Sequence, residues 1–178
     1  MATASKQSAQ SAKRKRLAAL LDPNATPEAL LALVDDPDDR VIHGVIRHPN
    51  CPTEALIRVA QRSAPEKTHC KIARHPNATA EVLEELAFTL SGAILELVAQ
   101  HPQVTPELLR QIAQGDDIDG PFDAGVRAHV AANPCTPTDV IVMYINDEDE
   151  EVRQAAWTNP ALPEEYRALA RIAGNPTR

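Results

Sequence analysis

The sequence predicts an all-α fold, a helical-repeat solenoid of about six two-helix units, and three observations carry that prediction. A short proline-centred segment recurs six times at nearly constant spacing. Between its copies, apolar residues recur with the 3.6-residue period of a helix rather than the two-residue period of a strand. A unit of about 26 residues has too little surface to bury its own apolar stripe, so neighbours must stack into one continuous core.

The recurring segments are Asp22-Pro23-Asn24-Ala25-Thr26-Pro27-Glu28, His48-Pro49-Asn50-Cys51-Pro52-Thr53-Glu54, His75-Pro76-Asn77-Ala78-Thr79-Ala80-Glu81, His101-Pro102-Gln103-Val104-Thr105-Pro106-Glu107, Asn133-Pro134-Cys135-Thr136-Pro137-Thr138-Asp139 and Asn159-Pro160-Ala161-Leu162-Pro163-Glu164-Glu165. Their anchor prolines, Pro23, Pro49, Pro76, Pro102, Pro134 and Pro160, lie 26, 27, 26, 32 and 26 residues apart. Repeats therefore start near residues 22, 48, 75, 101, 133 and 159.

Proline lacks an N–H and pushes the residue before it out of helical space, so each anchor ends the preceding helix. A second proline follows in most copies. In Thr26-Pro27, Thr105-Pro106 and Thr136-Pro137 the pair reads as an N-cap hydroxyl with proline at the first helical position. Glu28, Glu54, Glu81, Glu107 and Asp139 then fall in the first turn, where the helix dipole favours negative charge. The first helix of each repeat carries an apolar stripe: Leu30, Leu33 and Val34; Leu56, Val59 and Ala60; Leu83, Leu86 and Ala87; Leu109, Ile112 and Ala113; Ile141, Tyr144 and Ile145.

A turn of varied sequence comes next, acidic in Asp35-Asp36-Pro37-Asp38-Asp39 and Asn146-Asp147-Glu148-Asp149-Glu150. A second, shorter helix is expected to close the repeat through Val41, Val45 and Ile46; Thr68, Ile72 and Ala73; Ile94, Val98 and Ala99; Val126, Val130 and Ala131; or Val152, Ala156 and Trp157. The last repeat, with Tyr166, Leu169 and Ala170 only roughly in register, reads as a cap. Residues 1–16 read as a disordered basic tail and residues 17–178 as the solenoid, with Leu17, Leu20 and Leu21 covering its first repeat.

The combination of a Pro-Asn anchor, Thr-Pro-Glu-x-Leu-x-x-Leu, an acidic turn and Val-Arg-x-x-Val-Ala-x-Asn-Pro resembles the leucine-rich repeat variant family. It is clearest from Val126-Arg127 to Asn133-Pro134 and from Val152-Arg153 to Asn159-Pro160. The resemblance covers about residues 20–178. It implies a right-handed superhelix without sheet, each unit pairing an α-helix with a short 3-10-like helix. A founding type of that family holds an iron-sulfur centre in an N-terminal cysteine cluster. This N-terminal segment has no cysteine, so no cofactor is expected. The arginine after the second-helix valine also varies, with Ile42, His69 and Leu95 in its place elsewhere.

Charge and composition exclude several function classes. Formal net charge is −7, yet residues 1–20 contain five basic residues and no acid, which leaves −12 on the remainder. Such a body repels phosphate backbones by its net field, so a nucleic-acid role would rest on the run Lys13, Arg14, Lys15 and Arg16. A glycosylase-like cradle would call for a basic groove and aromatic wedges, and aromatics make up only 3% of the chain. Cys51, Cys70 and Cys135 are too scattered for a disulfide framework or zinc site and fit a reducing cytoplasm. No stretch is apolar for long enough to span a bilayer, and the N-terminus lacks a signal-peptide core.

Two patterns invite a metal. His48, His75 and His101 share one repeat position, but neighbouring repeats stand about 10 Å apart, too far for two rings to share an ion. The same position holds Asp22, Asn133 and Asn159, which favours a turn-capping role. The insertion from Gln114 to Phe122 carries Asp116, Asp117 and Asp119 without the ligand order of a calcium loop, and reads as a solvated loop. No phosphate loop, nucleophile elbow or zinc-protease motif is present, and Cys70 beside His69 lacks the geometry of an activated nucleophile. The expected function is non-enzymatic: a scaffold binding another protein or peptide, with nucleic acid as the alternative partner and no membrane. Glu84, Glu85, Arg110, Gln111, Phe122, Arg127 and Arg153 are the candidate contact residues.

Overall fold

The computed structural model describes residues 14–62, 64–89, 91–115 and 123–173. Among these there is no strand. The helices in chain order are α1 (residues 14–19), α2 (Pro27–Leu31), α3 (Asp39–Val45), α4 (Thr53–Ala60), α5 (Glu66–Ala73), α6 (Ala80–Ala87), α7 (Gly92–Gln100), α8 (Pro106–Gln114), α9 (Ala124–Ala132), α10 (Thr138–Tyr144), α11 (Glu150–Thr158) and α12 (Glu164–Ala173). The chain divides into two compact regions, Met1–Glu85 and Leu86–Arg178. Helix α1 already contains residues 14–16, so the boundary expected after residue 16 falls inside a helix. Phe122, Lys13 and the three insertion aspartates lie outside the described residues.

The apolar stripes form the core as their spacing requires. In the N-terminal region Leu30, Val34, Val41, Val45, Leu56, Val59 and Ile72 are all but fully buried. In the C-terminal region α9 packs between α7 and α11. There Ile94 and Val98, Val126 and Val130, and Val152 and Ala156 are buried at i and i+4 of their helices. At about 1.5–3 kcal/mol for each fully buried branched side chain, this repeated stripe is the main source of stability.

The second helices depart from expectation. They are α-helical rather than 3-10, and at 7, 8, 9, 9 and 9 residues they are not shorter than the first helices, which have 5, 8, 8, 9 and 7. Capping explains much of this. The acidic turns supply N-caps: Asp38 accepts from the Arg40 amide, Asp123 from Val126, and Asp149 from Glu151 and Val152. The tighter i to i−3 bonds appear instead where α2 runs out, from Leu33 N to Leu30 O and from Val34 N to Leu31 O. Helix α8 ends on Gly115, whose φ of 61° suits glycine at a left-handed C-cap.

The anchors carry a position not expected from the sequence. The residue two places after each anchor proline is buried in every repeat: Ala25, Cys51, Ala78, Val104, Thr136 and Leu162. Thr136 therefore corresponds to Ala25 and Val104, not to the N-cap threonines. It is buried, and its hydroxyl donates to Val130 O at 2.5 Å. Thr26 and Thr105 do cap, accepting from the Ala29 and Leu108 amides. Pro52 and Pro137 sit at the N-cap itself rather than at the first helical position.

Candidate interaction surface

Each anchor residue before the proline turns its side chain onto the backbone two residues ahead. Asp22 Oδ1 accepts from Asn24 N at 2.9 Å, Asn133 Oδ1 from Cys135 N at 2.8 Å and Asn159 Oδ1 from Ala161 N at 2.8 Å. The histidines do the same through Nδ1: His48 accepts from Asn50 N at 3.1 Å, His75 from Asn77 N at 3.0 Å and His101 from Gln103 N at 3.1 Å. An acceptor Nδ1 puts the ring hydrogen on Nε2. His48 Nε2 then donates to Asp22 O at 2.9 Å, and His75 Nε2 to His48 O at 3.2 Å. Asn159 copies this with Nδ2, donating to Asn133 O at 2.8 Å and to Ala131 O at 2.7 Å.

Asn50 and Asn77, one place after their prolines, add a second stitch. Asn50 Nδ2 donates to Pro23 O and Ala25 O, and Asn77 Nδ2 to Pro49 O and Cys51 O. Both nitrogens of His48 and His75 are thus engaged with backbone. Burial holds the His75 ring below the ordinary imidazole range, against the opposing pull of its bond to His48 O. Among the described residues no group of three or more His, Cys, Asp or Glu is placed to hold a metal ion. Burial also pushes the Cys51 thiol up to about 12, which keeps it from forming a reactive thiolate.

The candidate contact arginines are engaged within the chain. Arg127 is buried and forks onto Asp147, Nε to Oδ2 and Nη2 to Oδ1, both at 2.9 Å. Burial alone would raise the Asp147 carboxyl, but this fork and the Asp149 amide outweigh it and hold the group below its ordinary range. Arg153 donates to Asp147 O and Glu148 O at 2.7 and 2.8 Å, so these two arginines converge on one turn. Arg110 forks onto Asp139 at 3.0 Å through both contacts and also meets Glu107. Glu85 accepts from Gln61 Nε2 at 2.9 Å, while Glu84 and Gln111 are exposed.

In the basic run, Arg14 and Lys15 are exposed on α1, whereas Arg16 Nε lies 3.1 Å from the buried Asp36 Oδ2. That contact is an ion pair off the hydrogen-bond axis, since the buried Nε–H has no aligned acceptor. Arg16 and Asp36 have the twenty-residue separation of Arg127 and Asp147. Helix α1 therefore stands as the second helix of a repeat, with Asp22-Pro23 as its closing anchor. The signal was in the sequence: Arg16 precedes Asp22 by six residues, as Arg127 precedes Asn133 and Arg153 precedes Asn159. At the same position His69 is buried and its Nε2 has no partner among the described residues.

Beside α1 lies a cleft of about 560 Å³, lined by Leu17, Leu20, Leu21 and Pro23 on one side and by Arg40, Gly44, Arg47 and Pro49 on the other, with His48 between. Leu21 is 85% exposed, so the three leucines only partly cover the first repeat. Gly44 lets α1 approach α3, because a Cβ there would collide with Leu20 Cδ1. Other repeats carry Lys71, Leu97, His129 or Ala155 at this position, and the lone glycine was the available sequence signal. Arg40 and Arg47 are exposed, and neither side chain has an ion-pair partner among the described residues.

No protein-family profile matches the chain, and no curated protein or solved structure matches it. No helix among the described residues is long and apolar enough to cross a membrane.

Proposed function

We propose that this chain is a non-enzymatic binding protein of the leucine-rich repeat variant kind, a right-handed superhelix of helix pairs that engages another protein through the cleft beside α1. The observation that supports this reading is the pairing of a largely exposed leucine with an apolar cleft of pocket size, about 560 Å³, against the roughly 300–1,000 Å³ usual for ligand sites. Exposed apolar surface in a concave setting gains most by being covered. The candidate arginines Arg110, Arg127 and Arg153 act as internal ties on this reading, and Glu84 and Gln111 remain outward-facing rim.

The test is selection from a displayed random-peptide library against the full chain, with Leu21→Glu as the counter-selection. Leu21 is so exposed that the exchange leaves the fold intact. Enriched peptides that lose binding to the variant are expected. A library that yields no binders, or binders indifferent to Leu21, refutes the reading.

A nucleic-acid role is the second reading, favoured by the exposure of Arg14, Lys15, Arg40 and Arg47. It calls for oligonucleotide affinity that falls steeply with salt and disappears when these four are neutralised.

A further inference from the structure

The cleft's lining specifies the chemistry of an occupant, and this step rests on reading that cleft as a binding surface. Leu17 on α1 and Leu20 and Leu21 in the turn that follows it line one side of the cleft with apolar surface. Across from them Arg40 and Gly44 lie on α3 and Arg47 just past its end, so two exposed guanidinium groups border the same cleft. The ring that lines the cleft, His48, is buried and bonded to backbone at both nitrogens, which leaves little face on which a nucleobase would stack.

We propose that the cleft takes a short amphipathic helical segment of another protein, its leucine-like side chains against Leu17, Leu20 and Leu21 and its carboxylates against Arg40 and Arg47. Charge complementarity selects this occupant. Two arginines, Arg40 and Arg47, line the cleft and no acidic residue among the described residues does, on a chain of net charge −7. The acids nearest in the chain, Asp22, Asp38 and Asp39, are not among the lining residues. The chain's own first thirteen residues do not suit the site, since they carry Lys6 and Lys13 and no acid. A helical ligand with acids at i and i+7 and leucines at i+3 and i+4 presents both chemistries on one face.

The experiment is fluorescence anisotropy on the full chain with such a labelled helical peptide, its Glu-to-Lys counterpart, a version with serine for leucine, and a single-stranded oligonucleotide. The acidic peptide is expected to bind saturably, and Arg40→Glu with Arg47→Glu to weaken it by about tenfold or more while admitting the lysine peptide. Both arginines are exposed, and an unchanged thermal melt of the double variant shows that its fold is kept. Equal binding of the lysine or serine peptide overturns the proposal, as does indifference to the charge reversal. Tighter binding of the oligonucleotide overturns it in favour of nucleic acid. A concentration-dependent dimer abolished by the same reversal overturns it in favour of a second copy. Library peptides that depend on Leu21 but lack acids sink this inference and leave the binding reading standing, whereas the absence of any Leu21-dependent peptide sinks both.

Discussion

The anchor turns and the cleft beside α1 are neighbours in the chain, and their polar groups have opposite fates. At all six anchors the side chain before the proline meets a backbone amide two residues on, and His48, His75, Asn133 and Asn159 also reach back to an earlier carbonyl. In the cleft, Arg40 and Arg47 point into solvent beside an exposed Leu21. Buried backbone must be satisfied wherever it occurs, so the anchors after Asp22, which only accepts, use side chains that can accept at one atom and donate at another. Asparagine and the Nε2–H form of histidine both meet that demand. The cleft has no such demand, and its groups are available to a partner.

The comparison is broken most severely at Asn159, which is 1% exposed and holds three backbone partners. Asn159→Ala is expected to cost about 3 kcal/mol, read as a shift of the urea midpoint, because it strands two carbonyls and an amide in the interior. Arg40 and Arg47 give the contrast, since their exchange leaves that midpoint unchanged.

His69 sharpens the comparison from the other side. It is buried like the anchor histidines but lacks a partner for Nε2, and the equivalent position in the next repeat is Leu95. His69→Leu is expected to raise stability by about 1 kcal/mol in the same denaturation assay, since an apolar side chain removes a stranded polar atom. A loss of stability would show that His69 is bonded after all.

Much of the fold was legible because proline and helical periodicity act locally. The six anchors, the apolar stripes and the turn-capping role of His48, His75 and His101 all follow from residues within a few places of one another. What escaped the sequence reading depended on partners farther away. Thr136 looked like an N-cap beside Pro137, but that proline comes one place earlier than Pro27 and Pro106 do after their anchors, so Thr136 falls at the buried position. Arg127 looked like a contact residue because a lone arginine on a helix is usually solvated, and only the Asp147 turn twenty residues on shows otherwise. The second helices looked short partly because Asp38 and Asp149, which cap α3 and α11, were read as parts of turns. The cleft was hidden because it depends on Leu20 packing against Gly44, which lies far along the chain.

Protonation gives the anchors a pH signature of definite sign. His75 is held below the ordinary imidazole value of about 6.5, so the unfolded chain takes up the proton first. Its contribution to stability is complete above that value and declines as pH falls through the window down to the folded-state value. It does not decline as pH rises.

The most direct measurement is nitrogen NMR of the imidazole rings in the full chain at mildly alkaline pH, where the hydrogen's position is read from the two ring-nitrogen shifts. The anchors as described require His48, His75 and His101 all to carry hydrogen on Nε2 with Nδ1 unprotonated, and His75 to keep that form on acidification below the ordinary imidazole range. Hydrogen on Nδ1 in these rings, or rapid exchange between the two forms, would contradict the anchor geometry on which the fold, and the assignment of the cleft as the open surface, both stand.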